Sequence, residues 1–130
     1  MNKINIAAIV LISLISCSKA DQANPVADRK NPTINIYYPC SNEVYQPGQQ
    51  LCFKALLEDN TSLYNVAASI SDKTNKTIKK FEYFPGSKIF VLDQKYSIPE
   101  NITDSFTLVF EATDNQGNSV KSSLTLSVKY

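Results

Sequence analysis

Apolar and polar residues alternate along most of this chain with a period of two, and no window keeps a helical period. The last such stretch is the cleanest: Leu124, Leu126, Val128 and Tyr130 fall on one side, Thr125, Ser127 and Lys129 on the other. Phe106, Leu108, Phe110 and Ala112 alternate in the same way with Thr107, Val109 and Glu111. Leu51, Phe53, Ala55 and Leu57 alternate with Cys52, Lys54 and Leu56, and Ile34, Ile36 and Tyr38 with Asn35 and Tyr37. Val66, Ala68 and Ile70 complete the set. Successive side chains of a strand point to opposite faces, so each stretch offers one face to a core and one to solvent. That is the mark of antiparallel strands, and it confines the chain to an all-β fold.

Between Thr77 and Ile98 the pattern loosens. Ile78, Phe81 and Tyr83 predict one strand, Ile89 to Leu92 a second, and Tyr96 with Ile98 a short third. Glycine is used only as punctuation: Gly48 follows Pro47 and Gly86 follows Pro85, each suited to a type II turn. Gly117 falls within Asp114–Asn118, a tight hairpin connection between two strong strands. About seven strands with turns every 8–12 residues or so predict an immunoglobulin-like antiparallel β-sandwich over residues 33–130.

The amino terminus carries an address. Lys3 precedes an apolar run, Ile4 to Ile15, which ends in Leu14-Ile15-Ser16-Cys17. A run of this length is short of the ~20 residues that span a bilayer and fits the apolar region of a signal peptide. The pattern resembles the lipobox of bacterial lipoproteins, whose cysteine is acylated after cleavage just before it. That resemblance implies a signal peptide at 1–16, lipidation with palmitate-type chains at Cys17, and an envelope location. Ser18 after the cysteine, where retention signals carry Asp, implies the outer membrane of a Gram-negative bacterium. Residues 17–32, with Asn-Pro twice and Val26 as the only large aliphatic, read as a lipidated flexible tether.

Composition excludes more than it suggests. Loss of Lys3 with the signal brings the basic residues down to the acidic count of 12, which gives no electrostatic case for nucleic acid. Histidine is absent, which removes Ser-His-Asp and Cys-His activation and histidine metal sites. With Cys17 lipidated, Cys40 and Cys52 are left as a candidate disulfide in an oxidising compartment.

Three short stretches carry a family likeness: Tyr45-Gln46-Pro47-Gly48-Gln49-Gln50-Leu51, Leu57-Glu58-Asp59-Asn60, and Ala112-Thr113-Asp114-Asn115-Gln116-Gly117-Asn118. They resemble bacterial Ig-like modules of the cadherin-related kind, and in particular small uncharacterised envelope lipoproteins with one such domain. The resemblance implies a sandwich over Thr33 to Tyr130 and says little of function. Members of that family often carry a histidine-rich stretch after the acidic pair. Asp59 to Lys80 has none, so no metal role of that stretch transfers.

Ig-type topology gathers the loop after the second strand and the last hairpin at one end, which would bring Glu58, Asp59 and Asn60 near Asp114 and Asn115. Carboxylates with amide oxygens are the ligands Ca²⁺ takes, so these five are the candidate metal residues. Asp and Asn are equally the ordinary turn formers. Tyr37, Tyr45, Tyr64 and Tyr83 are the candidate binding surface, since tyrosine suits interfaces as well as sheet faces. Lys73, Lys76, Lys79 and Lys80 mark an edge strand guarded against pairing. The chain is therefore expected to be a non-catalytic, membrane-anchored binding or structural module for a protein or glycan, with no cofactor other than Ca²⁺. The alternative from another class is a carboxylate-based hydrolase or sugar-processing accessory protein.

Overall fold

A computed structural model describes residues 26–130. Eight strands run in chain order: β1 (Thr33–Tyr38), β2 (Val44–Tyr45), β3 (Gln50–Glu58), β4 (Leu63–Asp72), β5 (Thr77–Tyr83), β6 (Ile89–Ser97), β7 (Ser105–Asp114) and β8 (Ser119–Val128). No helix occurs among the described residues. One sheet has the order β1-β3-β6 and the other β2-β8-β7-β4-β5. All neighbours are antiparallel except β2, which runs parallel to β8. The first strands are thus divided between the sheets, β1 on one and β2 on the other.

The alternation seen in the sequence becomes the inner face of the sandwich. Leu51, Phe53, Ala55 and Leu57 of β3 are fully buried, as are Phe110, Leu108 and Ala112 of β7. Phe53 holds the sheets together: its ring lies edge-on to Phe110 at 6.1 Å and to Phe81 at 5.5 Å. Edge-to-face contacts between ring quadrupoles add to the burial itself.

The irregular region resolves into two strands, not three. β6 continues without a break from Ile89 to Ser97, because all nine of its residues pair with β3, from Glu58↔Ile89 to Gln50↔Ser97. At the carboxyl end, β8 stops at Val128, and Tyr130, expected on the inner face, is exposed. Gly48, Gly86 and Gly117 all have positive φ. The turn expected at Pro47-Gly48 is closed by the Gln49 N–H, which donates to the Gln46 carbonyl at 3.0 Å. No turn forms at Pro85-Gly86, where the Gly86 N–H donates instead to the Leu63 carbonyl at 3.1 Å. β5, with Lys79 and Lys80, is an edge strand of the five-stranded sheet, where lysine deters edge-to-edge pairing.

Topology sorts the loops into two ends. β3 ends, β4 begins, β7 ends and β8 begins at one end, which is where the chain enters β1. The β4–β5 hairpin and the β6–β7 connection lie at the other. The signal peptide read at 1–16, Cys17 and the tether as far as residue 25 lie outside the described residues.

The two remaining cysteines are free, which corrects the disulfide expectation. The β1–β3 ladder ends at Tyr38↔Lys54, two residues before Cys40 would come opposite Cys52. Cys40 instead enters a turn, where its main-chain N–H donates to Glu43 Oε1 at 2.9 Å.

Candidate functional site

Two turns meet at the end where the chain enters. In the first, Asp59 closes β3 and folds its carboxylate over the turn into β4. Its Oδ2 accepts from the Thr61 N–H at 2.8 Å, the Thr61 hydroxyl at 2.7 Å and the Ser62 N–H at 2.9 Å. In the second, Asp114 closes β7. Its Oδ1 accepts from the N–H groups of Gln116 (2.7 Å) and Asn118 (2.8 Å), and its Oδ2 from the Asn118 carboxamide at 2.6 Å. These are the local bonds that make Asp a turn former. Pairing of Leu63 with Asp114 sets the turns side by side, and the Asn115 N–H donates to the Ser62 carbonyl at 3.1 Å.

A third aspartate arrives from outside the predicted sandwich. Asp28 Oδ2 accepts from the Asn60 carboxamide at 2.8 Å and the Thr61 hydroxyl at 3.2 Å, and its main-chain carbonyl accepts from the Asn118 carboxamide at 3.1 Å. Pro32 is buried as well. The segment read as a free tether to residue 32 is therefore fastened to the sandwich from Asp28 onward. The main-chain N–H of Lys30, bonded to Asp28 Oδ1 at 3.0 Å, holds the Asp28 carboxyl below the usual carboxylate range against an opposing effect of burial. Asn60, Thr61 and the Lys30 charge act in the same direction as that N–H.

One carboxylate oxygen each from Asp28, Asp59 and Asp114 lie within 4.8 Å of one another. Asp114 is 1% exposed and Asp59 9%, and Asp59 Oδ1 is buried with no hydrogen-bond donor. Thr61 sits between Asp28 and Asp59 with a single hydroxyl proton that serves only one of them at a time.

Of the five candidate metal residues, the structure brings Asp59 and Asp114 together. Asn60 binds Asp28 through its amide nitrogen, Glu58 is an exposed strand residue, and Asn115 meets its neighbours through the main chain. Asp28 and Asn118 were not among the five. Nothing in the composition around Asp28 marks it, since its partners lie 32 to 90 positions further on.

The tyrosines divide. Tyr64 and Tyr37 are exposed, and Tyr83 is half-buried against Phe90, with its hydroxyl accepting from Gln94 Nε2 at 2.6 Å. Tyr45 belongs to the core at 7% exposure, so its place on a binding surface is corrected. It packs edge-on to Phe106 at 6.0 Å and donates its hydroxyl to Glu43 Oε2 at 2.6 Å. Burial, then the Glu43 bond, pushes its phenol above the usual range. At the far end an open cleft of about 450 Å³ is lined by residues that include Asp72, Lys73, Ile78, Ile102 and Asp104. Lys73 and Asp104 are ion-paired there at 3.2 Å.

Two sheets, a parallel β2–β8 contact and β1 set apart from β2 define an Ig-like β-sandwich. The chain belongs to the family described as Domain of unknown function (DUF4625), which matches residues 15–129. No curated protein matches it. Among solved structures it is similar to the fibronectin(III)-like modules of Clostridium thermocellum CbhA, at 16% identity and a TM-score of 0.52. That match covers 76% of this chain and 47% of the other, so the chain spans about half the length of that structure. CopC from Methylosinus trichosporium OB3b is a fainter likeness, at 15% identity and a TM-score of 0.45, covering 75% of this chain and 94% of that one. The CbhA likeness shows the fold alone.

Proposed function

We propose that the protein is a lipid-anchored, non-catalytic module of the cell envelope, held at the outer membrane of a Gram-negative bacterium. It presents an Ig-like surface to a protein or glycan partner, and the cofactor this reading admits is Ca²⁺ at the acidic end. The anchor rests on Lys3, the apolar run and the Leu14-Ile15-Ser16-Cys17 pattern.

The binding half is carried by one observation, the pair Tyr64 and Phe84. Their rings are 56% and 64% exposed and pack edge to face with centroids 5.8 Å apart. Each ring holds the other in one orientation, so a partner meets preorganised apolar faces and one hydroxyl. Sugar rings and protein side chains both bind such faces. The hydrolase alternative has less to stand on, because three of the four Asp59 and Asp114 carboxylate oxygens are taken by hydrogen bonds within their own turns.

The test is cross-linking of the anchored protein in intact envelopes, with a glycan array in parallel. A Tyr64→Ala/Phe84→Ala double variant is compared with wild type. A partner or glycan captured by wild type and reduced about tenfold in the variant, at an unchanged melting temperature, is the expected result. Equal capture by both proteins removes this surface from the reading, and capture by neither removes binding.

A further inference from the structure

We infer that one Ca²⁺ ion is held jointly by Asp28, Asp59 and Asp114, so that the cation fastens the segment before β1 to the body of the sandwich. This rests on the calcium part of the reading above and is independent of the Tyr64–Phe84 surface.

Turn formation alone does not account for Asp59. At position 59 an asparagine would accept the same three hydrogen bonds through its one carbonyl oxygen and bury no charge. The second oxygen, Oδ1, is surplus to the turn, buried and without a donor. A carboxylate oxygen in that state is costly unless a cation faces it. One carboxylate oxygen each of Asp28, Asp59 and Asp114 lie within 4.8 Å of one another, which raises the repulsion among like charges and supplies the ligands in one stroke.

The donor set selects the ion. It is all oxygen, with three carboxylates and no thiol or imidazole, which suits a hard cation. Two turns and an incoming chain segment make an irregular cage. Ca²⁺ accepts variable geometry with 6 to 8 ligands, waters included, whereas Mg²⁺ demands a near-ideal octahedron. Affinity in the range of about 0.1–1 mM is typical of extracellular modules. Asp28 makes the site a clasp. It is the only member that precedes β1, so an ion shared with Asp59 and Asp114 joins the entering chain to both turns. Arg29 and Lys30, both exposed, follow it directly and place two tryptic sites at the clasp.

The experiment takes the purified protein in detergent, stripped with EDTA, and titrates Ca²⁺ and then Mg²⁺. Melting temperature and the rate of tryptic cutting after Arg29 and Lys30 are followed together. At a hundredfold excess over Kd, Ca²⁺ is expected to raise the melting temperature by about 10–15 °C. It should also slow cutting at the clasp several-fold, with Mg²⁺ markedly weaker. Asp59→Asn keeps the turn and removes the surplus charge. It should melt no lower than wild type in EDTA and show no Ca²⁺ response. Asp28→Asn should fold normally, weaken the response about tenfold and lose the protection from trypsin. A wild-type protein that melts cooperatively in EDTA and ignores Ca²⁺ overturns both the site and the calcium reading. A Ca²⁺ response that Asp28→Asn leaves intact, with cutting unchanged, overturns the clasp alone.

Discussion

The Asn118 side chain donates to the main-chain carbonyl of Asp28 at 3.1 Å, across 90 positions of sequence. The same nitrogen reaches Asp114 Oδ2 at 2.6 Å, so one carboxamide joins the last hairpin to the chain entering β1. Its two hydrogens are both in use. Asn118→Ala removes both bonds and should lower stability by about 1–3 kcal/mol. Cutting by trypsin after Arg29 and Lys30 should quicken with it, and mass spectrometry of timed digests reads this directly. An unchanged cutting rate would mean that the contact holds nothing in place.

Asp114 is the most deeply buried charged residue of the described part, and both of its oxygens have partners. Asp114→Ala leaves the N–H groups of Gln116 and Asn118 without an acceptor in a turn whose geometry they define. The cost should be about 3 kcal/mol, or a melting temperature lower by about 10–15 °C. Urea denaturation of the variant should show a lower midpoint at an unchanged slope. Asp114→Asn, which retains a carbonyl acceptor, should lose less than half as much.

Strand patterning was legible because it is local. The inner face of β3, Leu51 to Leu57, and that of β7, Phe106 to Ala112, follow from alternation within a single stretch. The break expected between Leu92 and Tyr96 is absent because pairing with β3 carries β6 through it, a tertiary effect that no window of β6 contains. Tyr45 was misplaced for the opposite reason. Its strand has two residues, too few to show a period, and burial comes from packing on Phe106. The acidic site was half legible. Asp59 and Asp114 stand at strand ends where turn chemistry points to them, whereas Asp28 lies in a polar stretch and is recruited by contacts with Asn60, Thr61 and Asn118.

Glu43 and Tyr45 should give the fold a pH-sensitive contact. The Tyr45 hydroxyl first, and the Cys40 N–H second, hold the Glu43 carboxyl below its ordinary value of 4.5. A carboxyl depressed in the folded state stabilises above its unfolded value and loses that contribution as pH falls through the folded one. Tyr45→Phe should therefore be less stable than wild type at pH 6–7, and the gap should narrow as pH drops below about 4.5. Melting curves of both proteins from pH 7 to pH 3 make the comparison. A gap that stays constant with pH would assign the loss to packing alone.

Phe53 should carry the largest single side-chain contribution to the join between the sheets. It has no exposed surface, sits centrally on β3, and meets Phe110 and Phe81 of the opposite sheet edge to face. Phe53→Ala would leave a cavity where two ring contacts converge, and neighbouring strands held by long antiparallel ladders have little freedom to collapse into it. The expected cost is about 3–5 kcal/mol, large against the stability of a domain this size. Phe53→Leu keeps most of the apolar volume and should lose much less. Chemical denaturation of the two variants separates lost volume from lost ring contacts. If both fall equally, the edge-to-face geometry matters more than the space the ring fills.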